Sequence, residues 1–562
     1  MKNIKNINNW VGILMLLSIV TACSDDFLER PPKDAIVDAN FFKNDDQVLA
    51  GSALLYNQVW FDYNDKASYN LGDFRGGTTF SAYNDRENVE FNTTGNTADN
   101  GAAWRAFFIV VAQSNGLIQN VSRYATDAVS PEVKKHALAE ARFMRGLAYR
   151  FIVMNWGAVP IIENNIEHLS DTTLTRNTVE SVWKYITREM RAAANDLPET
   201  PMLEGRLTKW SAEAMLARFY LTRSGVESTG GNRNQVFLDS AKYYAKRVIE
   251  QSGASLLNDY ADLSKFPYDN NEESLFSLQW IYAGPDEWGT QNSTPAYLAY
   301  SSDIGNGDGW GGDKSATLWM LGLYDGLISN GNTLDQRLKA TYMLPGMHYP
   351  EITQSAKDNS GKSIEQELEF PYNDSDINYA SIKKYVTGKA VDNDGQASSQ
   401  RYGHDTYMIR LAEMYLIYAE AAMGNATTTS DPLAVEYFNK VHERAGLPPI
   451  TDVDLPLTFD DIFEERMVEF AMEGMAWYDL VRLHYYNPDK AYDIVSNQDR
   501  GLFKVEPNQF PDPTSWSFIA TEWDDNRKFQ ANAGNFLIPI PSSELSSAPN
   551  LRKAPVEYDF GD

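Results

Sequence analysis

The sequence predicts a mainly α fold, in which tetratricopeptide-like helix pairs form a scaffold and a loop-rich variable region carrying short strands is laid over it. Three observations predict this. Apolar residues recur at threes and fours over 133–151, and again over 408–422 and 463–481, the spacing that turns one helix face toward a core. Paired amphipathic segments of this kind stack as arrays, each pair burying its face against the next. Between about 256 and 406 the helical period fades and Gly, Asn, Asp, Pro and Ser become dense; loops of that length usually carry function or are disordered. No strict 34-residue period is visible, so the array is expected to be irregular.

The N-terminus has its own logic. Lys2 and Lys5 precede an apolar run from Val11 to Val20, which ends in Val20-Thr21-Ala22-Cys23. A positive start, a short apolar stretch and small residues describe a secretory signal. The run is too short to cross a bilayer, which needs about 20 residues. Residues 1–22 therefore read as a lipoprotein signal peptide. Cys23 sits as in a bacterial lipobox, which it resembles, and is the expected lipidation site. Ser24-Asp25-Asp26 is similar to the acidic signal that sends lipoproteins of Bacteroidetes to the cell exterior. Residues 23–43 make a polar, proline-containing tether. Cys23 is also the only cysteine of the chain, so neither an intramolecular disulfide nor a cysteine metal site is available.

Residues 44–562 are expected to form one domain in three parts. The first, 44–255, reads as helical apart from a Gly/Asn/Thr-rich stretch at 71–100. Val133, Ala137, Ala141, Met144, Ala148 and Phe151 mark one helix over 133–152. Asp171-Thr172-Thr173 and Arg206-Leu207-Thr208 stand before helices at 179–196 and 211–222, and Pro198 ends the former. A fourth spans 235–250. In the second part, 256–406, residues 273–282 read as a strand and 316–328 as the one periodic helix. In the third, 407–562, Met408, Leu411, Tyr415, Tyr418 and Ala422 continue a helical period, as do Phe463, Met467, Phe470, Gly474, Trp477 and Val481. Residues 486–535 look like an insertion.

Composition removes some partners. The net charge is -28 and the pI near 4.6, whereas nucleic acid and anionic membranes need clustered Lys and Arg. Enzyme signatures are also missing. The six histidines show no zinc spacing, and no Gly-x-Ser-x-Gly elbow occurs. Gly361-Lys362-Ser363 has Ala356 where a phosphate loop needs glycine. Asp303 to Gly309 fails as an EF-hand, because Ile304 and Ser315 fall at ligand positions. Calcium outside an EF-hand stays open; no other cofactor is expected. Arg410 with Glu413, Arg466 with Glu469, and Arg482 with Asp479 read as paired charges between helices rather than a reactive site.

Several segments stand out as a set along the chain. They are Glu140 to Tyr149 followed by Asn155-Trp156-Gly157-Ala158-Val159-Pro160, then Thr208 to Leu221, and Ile409 to Ala421. Glu443 to Pro448 follow, then Glu465 to Phe470 with Trp477 to Arg482, and finally Ile538-Pro539-Ile540-Pro541 with Pro549-Asn550. Together they resemble the SusD/RagB family of outer-membrane nutrient-binding lipoproteins, and they occur in that family's order along nearly the whole chain. Met475 stands where a basic residue is common, and Ala548 where asparagine is. The resemblance implies a SusD-like helical fold held at the outer membrane by a lipid anchor and facing the cell exterior. It also implies a SusC-like TonB-dependent transporter as partner, an oligosaccharide or polysaccharide ligand, and no catalysis.

Loop aromatics carry the ligand expectation. Sugar rings lay C–H faces on aromatic planes while their hydroxyls need amide, carboxylate or guanidinium partners, the mixed lining usual for small ligands. Two stretches combine these groups. One is 69–77 with 83–85, giving Asp73, Arg75 and Tyr83. The other is 282–289 with 308–312, giving Tyr282, Trp288 and Trp310. Trp104, Trp156, Trp183, Trp210 and Trp477 lie in or beside helices and are expected to pack. Three rival readings remain at this level: oligopeptide capture, a two-carboxylate surface glycoside hydrolase, and a helix-array scaffold without ligand.

Overall fold

The computed structural model describes residues 41–83, 85–168, 171–286, 288–373, 379–451, 456–521 and 527–561. The expected leader, Cys23 and the expected tether as far as residue 40 lie outside the described residues.

The scaffold is a ladder of helices. After α1 (Asp45–Ala53) come α2 (Ala98–Tyr124), α3 (Pro131–Trp156), α4 (Val179–Asp196), α5 (Lys209–Val226) and α6 (Gln235–Gln251), then α7 (Leu411–Met423) and α8 (Pro432–Arg444). From α2 to α8 each packs on the next. Local chemistry sets where they start. The Ser130 hydroxyl accepts from the amide of Val133 with Pro131 behind it, Thr178 accepts from Ser181, and Thr208 and Ser211 form a reciprocal capping box. α3 is buried almost throughout and its Phe151 ring stacks on Phe107 of α2 at 5.0 Å. No helix among the described residues is long and apolar enough to cross a membrane.

The ladder runs from α6 straight to α7, although 411 follows 251 only after a long excursion. The excursion leaves through β1 (Ser274–Leu278) and returns through β2 (Thr406–Arg410), which pair antiparallel with a bulge near Tyr407. Its loops and two-stranded ladders close over a second apolar cluster that includes Phe80, Tyr324, Tyr342, Met472 and Phe503.

Four sequence expectations are corrected here. Residues 406–410 are a strand where the period predicted helix from 408; all five are buried, so neither face is polar and the period cannot tell strand from helix. The period across 463–481 is broken into α9 (Phe459–Glu469) and α10 (Ala476–His484), with Met472 and Gly474 at φ of 63° and 68° between them. Residues 316–328 give two short helices, Leu318–Gly322 and Leu327–Asn330. The Gly-rich stretch after 71 is not all loop: Tyr69–Phe74 is a buried π-helix. Residues 486–535 hold α11 (Pro488–Asn497) and a hairpin of β3 (Phe503–Pro507) with β4 (Trp516–Ala520). Arg500 beside them donates to the carbonyls of Phe74, Arg75 and Val89, so the insertion braces that π-helix.

Buried ion pairs join the helices. Burial alone would raise these carboxyls, yet arginines hold three of them down to about 2: Glu413 against Arg218 and Arg466, Glu420 against Arg482 and Arg233, and Glu469 against Arg444, Arg410 and Arg337. Their folded pKa lies below the unfolded value near 4.5, so their contribution is present above about pH 4.5 and is lost as pH falls toward about 2. Calorimetry between pH 7 and 2 is expected to show a melting temperature that falls steeply below about 4.5. The fall should be nearly unchanged by added salt, because buried pairs are poorly screened. A melting temperature flat down to pH 2.5 would remove these pairs from the account of stability.

Candidate functional site

The exposed loop aromatics lie on connected backbone. Trp280 is buried at the exit of β1; its indole N–H donates to Thr406 Oγ1 at 3.1 Å and its amide to Asp405 at 2.9 Å. The Phe61 ring meets Trp280 edge-on at 6.4 Å and Trp288 at 5.3 Å. Trp288 itself is 51% exposed, with the Arg401 guanidinium 5.2 Å from its ring centre. Tyr282 is half-buried and borders Gly403.

Residues 399–402 link this loop to the next. Ser399 Oγ and Gln400 Nε2 donate to Asp308 at 2.9 and 2.6 Å, and Tyr402 exchanges backbone hydrogen bonds with Asn292. Two residues beyond Asp308 stands Trp310, 59% exposed. Its amide donates to Ala296 O at 3.0 Å and its carbonyl accepts from Lys314 Nζ at 2.9 Å. Gly311 follows because the chain presses on the backbone of Leu298 and Ala299 there: a Cβ would lie 2.0 Å from Leu298 O. On the other side the Ala82 amide donates to Asp313 O at 2.7 Å, which sets Tyr83, 76% exposed, beside the same segment. Tyr297 donates to Asp85 at 2.7 Å to close that edge. Trp288, Trp310, Tyr83 and the half-buried Tyr282 thus belong to one set of mutually bonded loops, dressed with Arg401, Gln400 and Asp308.

Asp73 and Arg75 are elsewhere, and the expectation that they face a ligand is corrected. Asp73 is 0% exposed and its carboxylate accepts from the amides of Met472 and Gly474 and from the Thr78 hydroxyl. Burial pushes its pKa up to about 7 against those hydrogen bonds. Arg75 is 1% exposed, lies between the Phe91 and Trp477 rings, and donates to Asn88 and to the Asn535 carbonyl. Both tie the N-terminal segment to the end of the chain. The helix tryptophans Trp104, Trp156, Trp183, Trp210 and Trp477 are buried, as expected. Arg401 and Gln400 escaped the sequence reading; they lie ninety residues from Trp310 in an unremarkable polar loop, and only the fold brings them there.

The chemistry available at these loops is stacking and hydrogen bonding. Among the described residues no group of three or more His, Cys, Asp or Glu could hold a metal. Two residues beyond Tyr83 stands Asp85; burial, then the Asp85 charge, raises the Asp99 carboxyl.

Comparison with known proteins agrees with this architecture. Residues 272–557 match the model of the SusD family, and 26–221 match a family described as starch-binding and associating with the outer membrane. A SusD-like protein of Bacteroides ovatus is 34% identical over 557 residues, covering 97% of each chain. SusD-like protein P2 of Formosa agariphila is 25% identical and covers 96% of this chain and 98% of its own. A crystal structure determined with a xylogluco-oligosaccharide superposes with a TM-score of 0.79 at 32% identity, over 92% of this chain and all of that one. A laminarin-binding SusD-like protein shares the fold with a TM-score of 0.65 at 22% identity, over 91% of this chain and 99% of its own.

Proposed function

We propose that this chain, which belongs to the SusD family, captures a glycan on the platform formed by Trp288, Trp310, Tyr282 and Tyr83 and passes it to a SusC-like TonB-dependent transporter. The observation that carries the reading is the pair of half-exposed indoles, Trp288 and Trp310, on loops bonded to each other through 399–402. Indole faces left in water are costly unless something covers them, and a sugar ring is a partner that also uses Arg401, Gln400 and Asp308. That a 32%-identical neighbour of the same fold was crystallised with a xylogluco-oligosaccharide supports the same ligand class here. Lipidation at Cys23 would hold the protein at the outer membrane with this platform outward.

The test is affinity electrophoresis of the mature chain in gels containing xyloglucan, laminarin, starch or no polymer. We expect retardation by at least one polymer, with that polymer recovered at its original length. Migration unaffected by every polymer would sink the glycan reading and turn attention to peptides; shortened polymer would restore the enzyme reading.

A further inference from the structure

A cavity of about 330 Å³ opens between the start of α5, the end of α6 and β1, a volume at the lower end of ligand pockets. Its floor is apolar, with Trp210 and Leu275, and its rim carries Glu199, Glu204, Glu272 and Asn270. The acids outnumber the bases there: Lys209 pairs with Glu199 at 2.9 Å, while Arg206 is turned to the buried Glu140.

The cavity and the aromatic platform share one run of chain. Ser277 of β1 lines the cavity. Two residues on, Gln279 packs its amide against Gly205, where a Cβ would lie 1.9 Å from its Oε1, and exchanges hydrogen bonds of 2.9 and 3.0 Å with Asn270. Two residues further, Ile281 is 57% exposed. Trp280 between them faces the opposite way, buried on Thr406 and beside the Phe61 ring that backs Trp288. At most about 14 Å of chain runs from Ser277 in the cavity lining to Ile281, next to Tyr282 of the platform.

We propose that this cavity is a second binding subsite, taking the continuation of an uncharged glycan chain whose other part lies on the Trp288–Trp310 platform. The proposal rests on the glycan reading above and adds a place and a class to it. The apolar floor accepts a sugar's C–H face, and the rim carboxylates accept hydrogen bonds from its hydroxyls. The same carboxylates repel uronic or sulfated sugars, because like charges brought together lose their solvation with no gain. Two linked subsites make binding depend on chain length, since the second contact is intramolecular once the first is made.

Isothermal titration with one-repeat and two-repeat xyloglucan fragments tests it. The wild-type protein is expected to bind the two-repeat fragment about tenfold more tightly. Glu204→Ala removes an exposed rim acid, and Ala254→Trp fills the cavity from its edge. In both variants the two-repeat fragment should fall to the affinity of the one-repeat fragment, which itself stays unchanged. An undiminished two-repeat advantage in Glu204→Ala and in folded Ala254→Trp would overturn the subsite and leave the platform standing. Wild-type protein that binds neither fragment would overturn the subsite, and only if no polymer retards it either does the platform reading fail as well.

Discussion

The double substitution Trp288→Ala with Trp310→Ala is expected to abolish retardation by the polysaccharide that retards the wild-type protein. Each indole is about half exposed, so a sugar ring laid on it removes a large apolar face from water. Burying an aromatic side chain of this size is worth about 2 kcal/mol. Each single substitution should therefore weaken binding at least about tenfold, and the pair about a hundredfold or more. Folding should hardly notice. Neither ring belongs to an apolar core, and the lost contacts are the Phe61 edge and the Arg401 cation over Trp288, worth about 1 kcal/mol together. Tyr243→Ala, which removes an exposed ring on α6, is the control and should leave retardation intact. Wild-type retardation by the double variant, with its melting curve unchanged, would place the site elsewhere.

The helical scaffold was legible because its signals are local. The period over 133–151, Pro198 and the Thr208 that precedes the next helix place α3, α4 and α5 within a few residues of where they lie. The exposure of Trp288 and Trp310, on which the candidate site rests, was legible for a related reason: both are flanked by glycine and polar residues, and nothing nearby in sequence could bury them. Asp73 and Arg75 carry the same local signature yet stand in the interior. The glycines around them serve close approach rather than exposure. A Cβ on Gly72 would lie 2.4 Å from Gly474 Cα, and one on Gly76 would lie 2.6 Å from the Ala476 Cβ. Glycine marks both an open loop and a tight backbone crossing, and the partner that decides between them is four hundred residues away. The break between α9 and α10 has the same cause, since the amides freed at Met472 and Gly474 are answered by Asp73.

Loss of Arg410 should be the most damaging single change to the fold. Its guanidinium donates to Glu473 at 2.7 Å, to Glu469 at 2.8 Å, to Glu273 at 2.5 Å and to the Glu469 carbonyl at 2.9 Å, all out of water. The position matters as much as the charge. Glu273 immediately precedes β1 and Arg410 ends β2, so this pair ties the neck where the loop region leaves and rejoins the helix ladder. Arg444 also bonds Glu273 and Glu469, Lys384 bonds Glu473 and Arg337 bonds Glu469, but Arg337 is shared with Asp335 and Glu465, so the three buried carboxylates are left short of positive charge. Arg410→Met is therefore expected to cost about 3–5 kcal/mol, the range for an ion left buried without its partner. Glu273→Gln keeps the shape and hydrogen-bonding capacity of the site and should cost less. Lys246→Ala breaks only the exposed pair with Glu250 on α6 and should change stability by less than about 0.5 kcal/mol. Urea unfolding followed by circular dichroism checks the order. If Arg410→Met unfolded at the same urea concentration as Lys246→Ala, the neck would be held by packing and the ladder's hydrogen bonds, with the charges merely tolerated there.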